Sequence, residues 1–197
     1  VKGGANMTQK FRCFIAVELD RVVKEKLEKI KNMLRDCTLE INWVDKLNFH
    51  ITLKFLGDIE RENIDLIKEE LENSIKDFSS FKININGLGA FPNQNYPKVI
   101  WAGIEEGDNQ LIDLHNHIEE KMIDLGYKPE QHSYTPHITL GRVNRHEKNF
   151  KLISKKIKEF PFQINTSQFI KSISIIKSQL TPKGPLYTTL EKIELDK

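Results

Sequence analysis

Polar and apolar residues alternate strictly through the stretch from Phe49 to Phe55. Phe49, Ile51, Leu53 and Phe55 take one side; His50, Thr52 and Lys54 take the other. That is the two-residue period of a strand with one buried face. Upstream, "FRCFIAVEL" (Phe11–Leu19) predicts a buried strand, and Val23, Leu27, Ile30 and Leu34 predict a helix capped by Asp20. "EINWV" predicts a short strand. After the alternating stretch, Ile64, Ile67, Leu71 and Ile75 fall in line on a second helix. "FKININGLGAFPN" and "KVIWAGIE" are strands, the first ending in Gly and Pro punctuation. A third helix, capped by Asp108, carries Leu111, Leu114, Ile118, Met122 and Leu125 and stops at Gly126. "HSYTPHITLGR" is a strand whose entry Pro136 holds extended. A basic amphipathic helix spans about Glu147 to Phe160. Two last strands, "FIKSISIIKSQL" and "LYTTLEKIEL", form a hairpin about "TPKGP".

The order repeats. Strand ("FIAVEL"), helix and "HITL" make one half; strand ("VIWAGI"), helix and "HITL" make the other. This predicts an α+β fold of two similar lobes, each an antiparallel sheet with helices on its outer face, related by a pseudo-two-fold across a central cleft. A single mixed sheet is the alternative arrangement. Residues 1–6 read as a leader before Met7, and residues 7–197 as one bilobal domain.

Composition narrows the class. The 197 residues are 39% hydrophobic and 29% charged, with a net charge of +2, as in a water-soluble globular protein. So small a net charge excludes a polybasic nucleic-acid tail, so basic groups that meet RNA must be focused locally. Arg142 to Lys158 is such a segment, although a run of lysines is ordinarily a solvated helix face. Cys13 and Cys37 lack metal-type spacing and read as reduced thiols of a cytoplasmic chain. No apolar run is long enough to span a membrane.

Strand parity puts His50 with Thr52, and His137 with Thr139, on faces opposite the Ile and Leu of each motif. Lobes packed with like faces together would line one cleft with all four. Imidazole titrates near pH 6.5, so one copy can accept a proton while the other donates one. The threonine hydroxyls can donate to the oxygens of a bound anion. Phosphodiester cleavage needs such a set: a base for the attacking oxygen, an acid for the departing one, and donors for the rest. One His-x-Thr in a strand is weak evidence, and a duplicated structural strand is the competing explanation. It gives no reason for both histidines to face away from the apolar residues. The histidines lack the carboxylate or thiolate pattern of a zinc site, so no metal or other cofactor is expected. His115 and His117 point to different sides of a helix and read as surface or packing residues, His132 and His146 as loop residues, and Trp43 and Trp101 as core or interface. Lys54 has cleft parity and is expected at the rim.

At these motifs the chain resembles the two-histidine phosphoesterase superfamily, and within it the LigT-like RNA 2′,3′-cyclic phosphodiesterases, also called 2′-5′ RNA ligases. "HITLKFLG" and "PHITLGR" carry the resemblance, with "FIAVEL", "GLGAFPN", "VIWAGI" and "SQLTPKGPLY" in support. The resemblance implies a catalytic pair, His50 as general acid and His137 as general base, with Thr52, Thr139 and Arg142 on the phosphate. It implies hydrolysis of RNA 2′,3′-cyclic phosphate ends to 2′-phosphates without a metal. The sequence leaves the reverse acid and base assignment open. Two further readings stand beside hydrolysis: reversible 2′-5′ ligation of tRNA fragments, and a non-catalytic RNA phosphate clamp. Tyr134 and Phe55 are candidates for stacking on a base, although Phe55 has the parity of the core. Arg142 lies five residues after His137, so an unbroken strand would aim it away from the cleft; a bulge at Gly141, or an end of the strand there, would restore it. A monomer is expected.

Overall fold

The computed structural model describes residues 10–35, 38–160, 164–182 and 184–196. The leader and Cys37 lie outside them. Nine strands and four helices follow in the order β1 (Lys10–Glu18), α1 (Arg21–Leu34), β2 (Ile41–Trp43), β3 (His50–Glu60), α2 (Asn63–Ile75), β4 (Phe81–Asn93), β5 (Tyr96–Glu106), α3 (Asp108–Asp124), β6 (His137–Val143), α4 (Phe150–Lys158), β7 (Thr166–Ile170), β8 (Ser172–Thr181) and β9 (Gly184–Glu194).

Every pairing between these strands is antiparallel. One lobe runs β3-β1-β8-β9, and the other runs β6-β5-β4-β7 with β2 also on β6. The lobes are not separate sheets. They meet where β3 touches β6, at the single residue pair Ile51 and Ile138. These are the central isoleucines of the two His-Ile-Thr-Leu motifs.

Helix stripes and strand faces share one core. Val23 and Leu27 of α1, Ile67 and Leu71 of α2, Leu114 and Ile118 of α3 and Ile153 and Ile157 of α4 pack with Ile15, Ile51, Ile100 and Ile138 of the strands. All four helices therefore cover the same face of the curled sheet. The other face carries a small separate cluster, Phe14, Ala16 and Ile176, with Tyr187 against it. Alternation along β1 is unbroken: Phe11, Cys13, Ile15 and Val17 join the helix-side core, and Phe14 and Ala16 face the opposite side.

Two predicted elements differ. The stretch read as one strand from Phe169 to Leu180 is two, divided at Lys171. β7 pairs with β4 in one lobe and β8 with β1 in the other, so the chain changes lobe across one residue. Continuous β-forming composition hides such a break. Asp108 is also not the cap of α3 but its first residue; Gly107 precedes it at φ 80, with only 2.6 Å between a would-be Cβ and the Lys82 carbonyl, so glycine is required there.

Candidate active site

The residues flanking Ile51 and Ile138 are His50 and Thr52 on β3, His137 and Thr139 on β6. Antiparallel pairing sets His50 beside Thr139 and Thr52 beside His137, with the pseudo-two-fold passing between the isoleucines. Both isoleucines are fully buried on the helix side, so the two histidines and two threonines share the open face. The nearness is electrical as well. The charge of His137 lowers the pKa of His50, and Arg142 lowers both.

The two rings are held alike. His50 Nδ1 donates to the Asn48 carbonyl at 2.7 Å, and His137 Nδ1 donates to the Thr135 carbonyl at 2.8 Å. A carbonyl can only accept, so each neutral ring carries its proton on Nδ1 and presents Nε2 to the cleft. At His50, Nε2 accepts from the Thr52 hydroxyl at 2.9 Å. Burial pushes the His50 pKa down to about 4, with Lys24, His137 and Arg142 adding to the fall and the Asn48 bond opposing it. Burial also lowers the pKa of His137, against its Thr135 bond. The cleft thus holds two neutral imidazoles among positive charges, an environment that an anion would reverse.

Both motif strands then break step at the same place. On β1, Ala16 pairs with Thr52 but Ile15 pairs with Lys54, leaving Leu53 as an extra residue. On β5, Trp101 pairs with Thr139 but Ile100 pairs with Gly141, leaving Leu140 as an extra residue. These matched β-bulges put the fifth and sixth residues of each motif strand on the reverse of their alternation faces. Arg142 consequently reaches the cleft face, opposite Val99. Phe55, a stacking candidate that carried the parity of the core, is 59% exposed on the cleft side, 6.2 Å from the Phe14 ring. Lys54 is a correction in the other direction. It is 1% exposed, and its ammonium bonds Glu119 at 2.7 Å and the Lys128 carbonyl at 2.6 Å on the helix side.

Tyr134 also departs from its expected role. Its ring stacks on His115 with centroids 3.9 Å apart and 13° between planes. Its hydroxyl donates to the Thr52 carbonyl at 3.0 Å, and burial pushes its pKa up. His115, 5% exposed, donates from Nδ1 to the Leu53 carbonyl at 2.7 Å. The stacked pair therefore grips two successive carbonyls of the β3 bulge from the other half of the chain. With Lys54–Glu119 it reinforces a lobe junction that has only one strand pair, and Tyr134 is a strut in place of a base platform. His117 lies against Phe78, while His132 and His146 are exposed, as expected.

Apart from Trp101, read as core or interface, the aromatic walls carry no mark in the sequence. Phe14 lies 4.9 Å from His50, and Tyr187 meets His50 edge-on at 5.4 Å. Phe91 meets His137 edge-on at 4.9 Å, with Trp101 at 6.2 Å. Trp101 lies flat on the sheet over Gly89, where any Cβ would collide with the ring. Its Nε1 is buried without a partner among the described residues. No signal marks these residues without the register that sets Phe14 beside Phe55 and Trp101 beside Thr139.

Comparison with known proteins agrees with this geometry. The family model described as LigT like Phosphoesterase matches twice, over residues 17–101 and 103–187, once on each His-Ile-Thr-Leu half. A protein of Archaeoglobus fulgidus named RNA 2′,3′-cyclic phosphodiesterase is 35% identical over 93% of this chain and 99% of its own length. One of the same name from Methanothermobacter thermautotrophicus is 32% identical over 94% and 100%. Among solved structures, TT0787 of Thermus thermophilus has a TM-score of 0.78 at 25% identity, covering 93% of this chain and 97% of that one. E. coli LigT complexed with 3′-AMP reaches 0.78 at 19% identity over 96% and 100%, a likeness of fold. On the paired motifs, their shared bulges and these matches, the chain belongs to the LigT-like phosphoesterase family.

Proposed function

We propose that the protein is an RNA 2′,3′-cyclic phosphodiesterase that opens the cyclic end to a 2′-phosphate with its two histidines and no metal. The observation that carries this reading is the Ile51–Ile138 pair, which sets two imidazoles and two hydroxyls about one point on the open face. Water would attack phosphorus while His137 Nε2 takes its proton. The P–O3′ bond breaks, and His50 Nε2–H passes its proton to O3′. Thr52 and Thr139 hydroxyls and the Arg142 guanidinium hold the remaining phosphate oxygens as charge builds. Phe55, beside Phe14, offers an exposed ring for the base.

His50 must gain a proton for this role, although burial depresses its pKa to about 4. The substrate's negative charge supplies the opposing pull. Thr52, whose hydroxyl donates to His50 Nε2 in this structure, is then released to donate to the phosphate. The reverse assignment of the two histidines gives the same product. RNA ends that include tRNA fragments, a monomeric state and a cytoplasmic setting complete the proposal; among the described residues no helix is long and apolar enough to cross a membrane.

Phosphorus NMR of the product tests the reading. Incubation of a nucleoside 2′,3′-cyclic phosphate in chelator is expected to give only the 2′-monophosphate. A 3′-monophosphate, or no turnover, would contradict it. Joining of 2′-5′ linked fragments in preference to hydrolysis would favour the ligase reading, and salt-sensitive RNA binding without product the clamp.

A further inference from the structure

Charge is distributed unevenly along this chain. The segment from Arg142 to Lys158 holds seven basic residues and one acid, while the rest of the chain is net acidic. The one acid, Glu147, is turned inward. It is 8% exposed and accepts backbone amides of Glu40 at 2.7 Å and Asn149 at 2.5 Å. It therefore does not neutralise its neighbours at the surface. Arg145, Lys148 and Lys151 are exposed and have no acidic partner among the described residues, and Lys155 meets Glu159 only at 3.9 Å.

The placement of these groups is directional. Arg142 ends the motif strand in the cleft, and Arg145 and Lys148 lie on the turn that follows. Lys151 and Lys155, four residues apart, lie on the side of α4 away from the buried Ile153 and Ile157, and Lys148 stands just before the helix. The tip of the β4–β5 hairpin lies against the same helix. There Tyr96 is 48% exposed, its ring 4.3 Å from Phe150, with the Lys98 ammonium 5.6 Å from its centre. Lys158 ties the tip to the helix through Asn95 at 2.7 Å. Lysines beside a half-exposed aromatic ring suit a single strand of RNA: cations for phosphates and a ring for a base.

We propose that Arg145, Lys148, Lys151, Lys155 and Tyr96 form a track for the body of a single-stranded RNA whose cyclic end lies between His50 and His137. The inference rests on the proposed activity and adds to it the place where the body of the RNA lies. A mononucleotide ends at the cleft and never meets the track. An oligonucleotide leaves the cleft past Arg142, follows Arg145 and Lys148 on the turn to the outer surface of α4, and gains further phosphate contacts along its lysines.

The test compares adenosine 2′,3′-cyclic phosphate with an oligoribonucleotide of about eight residues carrying the same cyclic end, on wild type and on the triple variant Lys148→Ala, Lys151→Ala, Lys155→Ala. On the mononucleotide, kcat/KM is expected to stay within about twofold. On the oligonucleotide at low salt it should fall about tenfold or more, through KM. The slope of its logarithm against log salt should shrink by about 2, near 0.7 per lost phosphate contact. Equal losses on both substrates, or no loss on the oligonucleotide, would overturn the track. Fluorescence anisotropy of the labelled oligonucleotide separates the two readings. Weakened binding by the variant, with wild type inactive on both substrates, would support the track and remove the proposed activity. Unchanged binding would overturn the track whatever the activity.

Discussion

The strands β3 and β6 carry the same four residues, the same bulge and the same placement of imidazole, yet they diverge at the next two positions. After "HITL" one continues Lys54-Phe55, the other Gly141-Arg142. The bulge turns the first of each pair to the helix side and the second to the cleft. In β3 the helix-side residue is a buried cation tied to Glu119. In β6 it is a glycine on which Trp43 and Ile41 press, with a would-be Cβ 2.8 Å from the indole. In the cleft the pair is a phenyl ring facing a guanidinium. A duplicated scaffold has thus kept a histidine and a threonine in both copies and diverged in the residues beside them. In the proposed reading the β6 side supplies charge for phosphate, and the β3 side supplies an apolar face for a base.

The largest expected effects come from what the halves share. His50→Ala and His137→Ala should each lower kcat by about 10²–10⁴, with melting temperatures close to wild type, measured on the same preparations. Substantial turnover in either would mean that the halves are not equivalent in chemistry. The next effect is one of stability. Glu119→Gln leaves the Lys54 ammonium buried without its counter-charge, and denaturant unfolding should show a loss of about 3–5 kcal/mol. Replacing Lys54 by methionine with Glu119→Gln should recover part of it.

The divided cleft predicts two different kinetic signatures. Arg142→Ala should reduce kcat/KM about equally for all cyclic nucleotides, because it removes a phosphate contact. Phe55→Ala should raise KM several-fold, more for purine than for pyrimidine substrates, in line with about 1–3 kcal/mol for a base–aromatic stack. Matching profiles for the two would deny the division. A smaller effect belongs to the strut: Tyr134→Phe removes one hydrogen bond to the Thr52 carbonyl, and should cost about 1 kcal/mol in unfolding free energy.

The pH dependence of stability follows from the lowered His50 pKa. Between the ordinary value near 6.5 and the folded value of about 4, the unfolded chain binds more protons than the folded one. Stability should therefore be full above pH 6.5 and decline as pH falls toward 4. The urea midpoint of His50→Gln should depend less on pH across that window; an unchanged dependence would place the loss elsewhere.

Much of the site was legible because it rests on the period of a strand. His50 with Thr52, and His137 with Thr139, follow from alternation alone, and the repeated tetrapeptide linked the halves. The bulges were not legible in the same way. An extra residue in a ladder is defined by the partner strand, and nothing in "HITLKF" announces it. That is why Lys54 was expected at the rim and Phe55 carried the parity of the core, the reverse of their positions. In β6 the chain offers a glycine, so a bulge bringing Arg142 to the cleft could be anticipated there. The aromatic walls needed still more distant information, since Phe14 and Tyr187 reach His50 from strands on either side of β8. Tyr134 stands three residues before His137 and reads as a stacking candidate, but its direction depends on α3 and on His115, which sequence spacing does not locate.

The proposed chemistry requires both imidazoles to address one phosphate. Long-range nitrogen–proton NMR of the histidine rings, titrated with the product nucleoside 2′-monophosphate, tests this most directly. The Nε2 signals of His50 and His137 are expected to move together with one dissociation constant, and the pKa of His50 to rise from its depressed value as the anion binds. Movement of one ring alone, or two separate binding constants, would contradict it.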